Sequence, residues 1–292
     1  MPQALARSFS EQDLRGGSLT FANHLYNPLQ LKPEFAPVFN EDDHSYTWQG
    51  NALPGVSYML SATGIKEPFN RFFWQRSLMR KGMTEEEAEA HMDKVRDDAC
   101  LRGSEVHYSV ERLCKNEPLE LDRELPDCIE KNDLMKFVMH SEKAMNDLQV
   151  DEVLGIEMQL VHPVGHYCGT VDAVVNTPDG IVVLDWKTTG EIKKAKKERW
   201  QLFQMVAYLG AINHAFKSDG ICAVRVANAY LAPDGYKIVE YGKEVVLEAW
   251  RELQGLLLEY WQLRVNRGQD YHHPELAAKA LASIEEHWGP FE

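Results

Sequence analysis

The stretch GTVDAVVNTPDGIVVLDWKTT, residues 169–189, decides the fold. Two Val- and Ile-rich runs flank Thr177-Pro178-Asp179-Gly180, a composition that suits two β-strands joined by a tight turn. Centring the turn between Pro178 and Asp179 places Asp172 directly opposite Asp185. Directly opposite Cβ atoms lie roughly 4.5–5.5 Å apart, and two like charges at that distance repel unless something cationic sits between them. Lys187 follows Asp185 by two residues and projects from the same face. Val171, Val174, Val175, Ile181, Val182, Val183 and Leu184 make both faces of the hairpin apolar, so three charged side chains there need a reason. A divalent cation held by the two aspartates is such a reason. Oxygen ligands suit a hard ion, Mg²⁺ or Mn²⁺, which polarises a phosphate and lowers the pKa of a bound water. The alternative is a buried Asp–Lys ion pair, and a slip of one residue in register would remove the facing geometry.

Outward from the hairpin, EVLGIEMQLVHP (152–163) reads as a preceding strand, and WQLFQMVAYLGAINHAF (200–216) as the helix after the lysine. CAVRVANAYLAP and YKIVEYG form a second hairpin through Pro233-Asp234-Gly235, and helices follow around 245–266 and 275–286. Upstream, Thr84 and Glu87 have capping-box spacing and start a helix over about 84–99, which runs into another through RGSEVHYSVERL. Pro126 marks the first turn of a further helix ending near Gln149. Residues 56–81 are expected to be helical, PVFN and SYTW to form a hairpin, and residues 1 to about 35 to be a loose arm. The whole reads as an α/β chain. Residues 1–100 form an arm, hairpin and helical elaboration, and residues 101–292 form the main unit with its C-terminal helices.

Composition narrows the function. The chain has 292 residues, 31 Lys and Arg against 45 Asp and Glu, and a net charge of −14. That charge argues against a protein that coats nucleic acid, though not against one that grips it through a local basic patch. No apolar run approaches the roughly 20 residues of a membrane span, so no membrane partner is expected. The five cysteines lack CxxC pairs and cluster-ligand spacing, which argues against a disulfide scaffold, a zinc ribbon and an iron–sulfur cluster.

Asp172 followed by Asp185-Trp186-Lys187 resembles the D…(D/E)xK core of the PD-(D/E)XK nuclease superfamily. Gly103-Ser104-Glu105-Val106-His107 is similar to the GxxxH motif of its RecB-like exonuclease branch, and Gln204-Met205-Val206-Ala207-Tyr208 to the QxxxY motif. The small residues of Tyr167-Cys168-Gly169-Thr170-Val171-Asp172 also resemble that branch. HSYTWQGNALPGVS (44–57) is an imperfect match to the segment that precedes the GxxxH helix in phage and mitochondrial single-strand DNA exonucleases, with Gly55 where serine is common. The resemblance implies a restriction-endonuclease-like core, a central mixed sheet flanked by helices. It also implies an Mg²⁺ or Mn²⁺ ion bound by His107, Asp172, Asp185 and the main-chain carbonyl of Trp186, with Lys187 positioning the attacking water.

Several further residues have functional readings. Gln204 and Tyr208 share a helix stripe with Gln201 and would contact the substrate phosphate or position Lys187. Glu111, one turn after His107, and Glu157, on the strand before the hairpin, would support the ligands from behind. Otherwise Glu111 pairs with Arg112 or Lys115. Lys193, Lys194, Lys196, Lys197 and Arg199 would guide a phosphate backbone, or form only a solvated face. Arg71, Trp74 and Arg76 combine bases and aromatics as a surface for single-stranded bases, with Phe72 and Phe73 either on it or in the core.

The expected function is a metal-dependent DNA exonuclease acting on single-stranded DNA or DNA ends in phage replication, recombination or repair. A structure-specific or restriction-like endonuclease comes next, and then a DNA-binding factor on a dead nuclease fold. A recombination, annealing or single-strand-binding protein is the expected protein partner. The cytoplasm of a bacterial or phage-infected cell is expected ahead of the mitochondrial matrix.

Overall fold

The computed structural model describes residues 24–67, 70–120, 123–267 and 274–289. Most of the N-terminal arm, residues 1–23, lies outside them.

The predicted hairpin forms the centre of a six-stranded sheet. β5 (Glu152–His162), β6 (Tyr167–Thr177) and β7 (Gly180–Thr188) run antiparallel. Thr177 pairs with Gly180 across the Pro178-Asp179 turn, and Gly180 takes φ +106°, a conformation that favours glycine. The ladder continues to Ala173 opposite Leu184, so Asp172 and Asp185 occupy the next facing position. β7 then pairs in parallel with β8 (Arg225–Ala232), which forms a hairpin with β9 (Gly235–Tyr241). Parallel neighbours need a crossover, supplied here by α5 (Arg199–Ala215). The far edge is β1 (Leu25–Tyr26), which pairs in parallel with β5. The sheet is therefore mixed and flanked by helices.

Upstream, β2 (Val38–Asn40), β3 (Ser45–Trp48) and β4 (Asn51–Leu53) form a small separate sheet, one strand more than the expected hairpin. It is tied to β6 by Cys168 N–H donating to Pro54 O at 2.9 Å and by Tyr46 Oη to Thr170 Oγ1 at 2.9 Å. The helices that follow are α1 (Val56–Ala62), α2 (Arg71–Met79), α3 (Glu85–Cys114) and α4 (Lys131–Asp147). α6 (Lys243–Arg267) and α7 (Pro274–His287) close the chain.

Two helix readings change. The Thr84 capping box forms as expected, but the helix it starts runs unbroken for 30 residues to Cys114. Nothing in Asp97–Gly103 breaks it, because one interior glycine costs only about 1 kcal/mol. Pro126 does not begin α4. Its carbonyl closes a turn with Ile129 N–H at 3.1 Å, and α4 starts at Lys131.

The sheet has an apolar layer on each face. Val106, Val110, Leu134 and Phe137 of α3 and α4 cover Ala173, Val175, Val182, Leu184 and Trp186. On the other face α1, α5, α6 and α7 bury Val171, Val174 and Val183 together with Tyr260 and Trp261. Each fully buried aliphatic side chain contributes about 1.5–3 kcal/mol relative to exposure. α5 is buried on nearly all sides rather than amphipathic, which puts its polar residues in the interior.

Candidate active site

α3 and α5 approach opposite faces of the sheet where β6 leaves β7, and the charged residues gather there. Asp172 Oδ2 accepts from Trp186 N–H at 2.8 Å, which fixes the carboxylate across the hairpin. From α3, His107 Nε2 lies 3.1 Å from the Trp186 carbonyl oxygen. Its Nδ1 lies 3.5 Å from Glu157 Oε1 and 3.7 Å from Asp172 Oδ2. One ligand atom each from His107, Glu157 and Asp172 falls within 4.8 Å of the others.

Glu157, read from sequence as a supporting carboxylate, thus stands beside His107 itself. Local backbone explains this. The β5–β6 register shifts between Val153 and Gly155, and Glu157 takes φ +47°, left-handed for a non-glycine residue inside a strand. Such a conformation costs about 1–3 kcal/mol and persists where the surroundings over-determine it. A Cβ at Gly155 would meet Met158 Sδ at 1.9 Å, so the Met158 side chain packs into the space the glycine leaves beside the irregular strand.

Asp185 is 2% exposed, and both its oxygens are engaged. Oδ1 accepts from Lys187 Nζ at 2.8 Å and Oδ2 from Asn228 Nδ2 at 3.2 Å. Lys187 Nζ also donates to Gln204 Oε1 at 3.2 Å. Gln204 Nε2 in turn donates to Tyr208 Oη at 3.0 Å and Ser57 Oγ at 3.1 Å. Tyr208 fits because residue 169 is glycine, where a Cβ would lie 2.4 Å from the Tyr208 ring. The side chain of Trp186 points away, into the α3–α4 layer.

Electrostatics follow from burial. Burial lowers the pKa of His107, but the charges of Asp172, Glu157 and Asp185 outweigh it and raise the value from 6.5 to about 9. Burial, reinforced by the charge of Asp185, pushes the Asp172 carboxyl up to about 7. Burial works against the Lys187 ammonium, yet Asp185 and Asp172 leave its pKa raised. The cluster thus draws in positive charge, from protons when nothing else supplies it. His107 Nδ1 and the Glu157 and Asp172 carboxylates converge on one space and form a donor set that fits a divalent ion, while the Trp186 carbonyl faces the Nε2 side of the ring.

The other predicted residues lie in different surroundings. Glu111 pairs with Lys115 at 2.6 Å. Lys193 and Lys194 pair with Glu191, Arg199 pairs with Glu252, and Lys197 lies 4.5 Å from the Tyr241 ring centroid. Lys196 is exposed. On α2, Arg71 pairs with Asp93 at 2.9 Å, Arg76 lies over Phe72, and Trp74 packs with Leu78, Ala88 and Met92. Phe72 and Phe73 are exposed by 57% and 69%, outside the core. Arg71, Phe73, Trp74, Met92 and Val95 line a groove of about 840 Å³ between α2 and α3.

Sequence reading missed Asn228, Ser57 and Lys66. Asn228 carried a signal, an amide inside the apolar run of a strand, and it pairs with Asp185 across the parallel β7–β8 ladder. Ser57 ends the segment 44–57 that resembles the exonucleases, without a role of its own, and Lys66 had no signal, since only tertiary packing brings the loop after α1 to this site.

The curated relatives that the chain resembles include mitochondrial genome maintenance exonuclease 1 of Homo sapiens, 28% identical over 167 residues, 57% of this chain and 45% of the relative. The Mus musculus protein of the same name is 27% identical over 192 residues, 61% of this chain and 53% of the relative. The chain therefore spans about half the length of these relatives. A profile of the PD-(D/E)XK nuclease superfamily matches residues 70–287, which include His107, Asp172, Asp185 and Lys187 and make up most of the sequence. The chain belongs to the PD-(D/E)XK nuclease superfamily.

Proposed function

We propose that this protein is a divalent-metal-dependent DNA exonuclease that hydrolyses phosphodiester bonds in single-stranded or end-containing DNA. The observation that carries the reading is the convergence of His107, Glu157 and Asp172 within 4.8 Å beside the Asp185–Lys187 pair. The names of the relatives support the exonuclease part.

His107, Asp172, Glu157, Asp185 and the Trp186 carbonyl would hold Mg²⁺ or Mn²⁺, with Lys187 kept beside Asp185. The bound ion supplies polarisation of the phosphate and a lowered pKa of water. Lys187 has three N–H donors, two of them directed at Asp185 and Gln204. The third, unpaired among the described residues, would orient the attacking water or meet the charge that develops on the phosphate. Gln204, backed by Tyr208 and Ser57, keeps that ammonium in place. We place the activity in DNA replication, recombination or repair, in the cytoplasm of a bacterial or phage-infected cell, with a single-strand-binding or annealing protein as partner.

Degradation of linear and circular single-stranded DNA in Mg²⁺ and in Mn²⁺ tests the reading. Linear DNA is expected to be consumed and circular DNA to survive, with Asp185→Ala and Lys187→Ala reducing the rate at least a thousandfold while folding is retained. Cleavage of the circle would replace the exonuclease with an endonuclease. Unchanged rates in both variants would overturn the site.

A further inference from the structure

Lys66 is a cation at the active site that the D…DxK pattern does not contain. It lies in the loop after α1, fixed by its own N–H donating to Leu60 O at 3.0 Å. Its Nζ stands 4.4 Å from the centroid of the Trp200 ring, and Lys187 Nζ stands 5.7 Å from the same centroid. Trp200 is itself held, its indole N–H donating to Glu198, which caps α5.

Two ammonium groups gathered on one ring repel each other. Lys187 has Asp185 as counter-ion, but Lys66 makes no ion pair among the described residues. Burial and the charge of Lys187 lower the pKa of Lys66, and the charge of Glu198 only partly opposes them. Among the described residues, half-buried Lys66 has a neighbouring cation and no paired carboxylate. The basic run at residues 193–199 differs in making ion pairs of its own, Lys193 and Lys194 sharing Glu191 and Arg199 pairing with Glu252.

We propose that Lys66 binds a backbone phosphate of the nucleic-acid strand beside the metal-binding group, with Trp200 holding its ammonium in position. The inference rests on the nuclease reading above and adds a substrate contact from the segment before α2. The phosphate would sit between two cations that otherwise repel, so its charge would be met without disturbing the Asp185–Lys187 pair.

The test compares wild type, Lys66→Met and Lys66→Arg, with melting temperatures measured to show that all three fold. Binding of a fluorescent single-stranded oligonucleotide is titrated against salt by anisotropy, in Ca²⁺ to suppress turnover. KM and kcat are then measured in Mg²⁺. Lys66→Met is expected to weaken binding and raise KM about tenfold, with kcat changed less. The slope of log affinity against log salt should fall by about 0.7, the value for one lost phosphate contact on a single strand. Lys66→Arg should restore the slope, which a merely structural role would not require. An unchanged KM and salt slope in Lys66→Met would overturn the proposal. If wild type binds the strand but never cleaves it, the nuclease reading fails while the salt slope still decides Lys66. If wild type binds no strand, both fail.

Discussion

In the metal-free protein, His107 makes stability fall as pH rises through the alkaline range, and Asp172 is the cause. The imidazolium is preferred in the fold because carboxylates surround it, which raises its pKa from 6.5 to about 9. That difference corresponds to about 3 kcal/mol in favour of the protonated form. The folded value is raised, so this stabilisation is complete below pH 6.5 and is lost as pH climbs to about 9. The raised carboxyl of Asp172, at about 7, acts in the same direction at lower pH, because the folded state again holds its proton more tightly. Thermal unfolding in EDTA from pH 6.5 to 9 measures the effect. For a chain of this size a loss of about 3 kcal/mol lowers Tm by roughly 5–10 °C. Asp172→Asn removes the largest charge that raises His107 and the buried carboxylate as well. The variant should show a much flatter profile and should melt above wild type at pH 9. Mg²⁺ or Mn²⁺ should flatten the wild-type profile, since the ion takes the place of the proton. Parallel pH profiles for wild type and Asp172→Asn in EDTA would refute the electrostatic account of the cluster.

Gly169→Ala should drive the Tyr208 ring off Gln204, because the new Cβ would lie 2.4 Å from the ring. A stability loss of about 1–3 kcal/mol in urea unfolding and a lower cleavage rate are expected. Asn228→Leu removes the donor at 3.2 Å from Asp185 Oδ2 and also a buried Oδ1 that has no partner. Cleavage should fall about 10–100-fold, the usual cost of losing a residue that orients a ligand, while the urea midpoint stays within error or rises.

The parts of the fold that sequence revealed are those where one local rule decides. The β6–β7 register follows from a Pro-Asp turn followed by glycine, and the α3 start follows from Thr84 and Glu87. Both would survive in an isolated peptide as preferences. β1 and β4 are two and three residues long and carry no period, so only their partners define them. The continuity of α3 was hidden because Gly103 looks like a break but is carried by the packed helix on either side. Glu157 was recognised as acidic and near the hairpin, but its aim depends on a left-handed residue in a strand, which no propensity predicts. The basic run at 193–199 stands out because five cations fall within seven residues. The carboxylate that neutralises Arg199 is Glu252, on another helix and out of sight in a linear reading.

That difference reframes the charge of −14. The run from Lys193 to Arg199 reads from sequence either as a grip on phosphate that an acidic chain otherwise lacks or as a solvated face. In the fold, Lys193 and Lys194 share Glu191 and Arg199 pairs with Glu252, and binding a strand would compete with these pairs. Exposed pairs of this kind are worth little, about 0–1 kcal/mol, so the exchange is cheap but the gain is small as well. The half-buried Lys66 and Lys187 differ, because the protein already displaces part of the water around them, and attraction to a phosphate is stronger there. On the proposed reading, affinity therefore concentrates at the cleavage position and stays weak elsewhere along the strand. An exonuclease needs that distribution. It must hold the nucleotide being removed and then let the remaining strand advance by one step, which uniform electrostatic adhesion would resist.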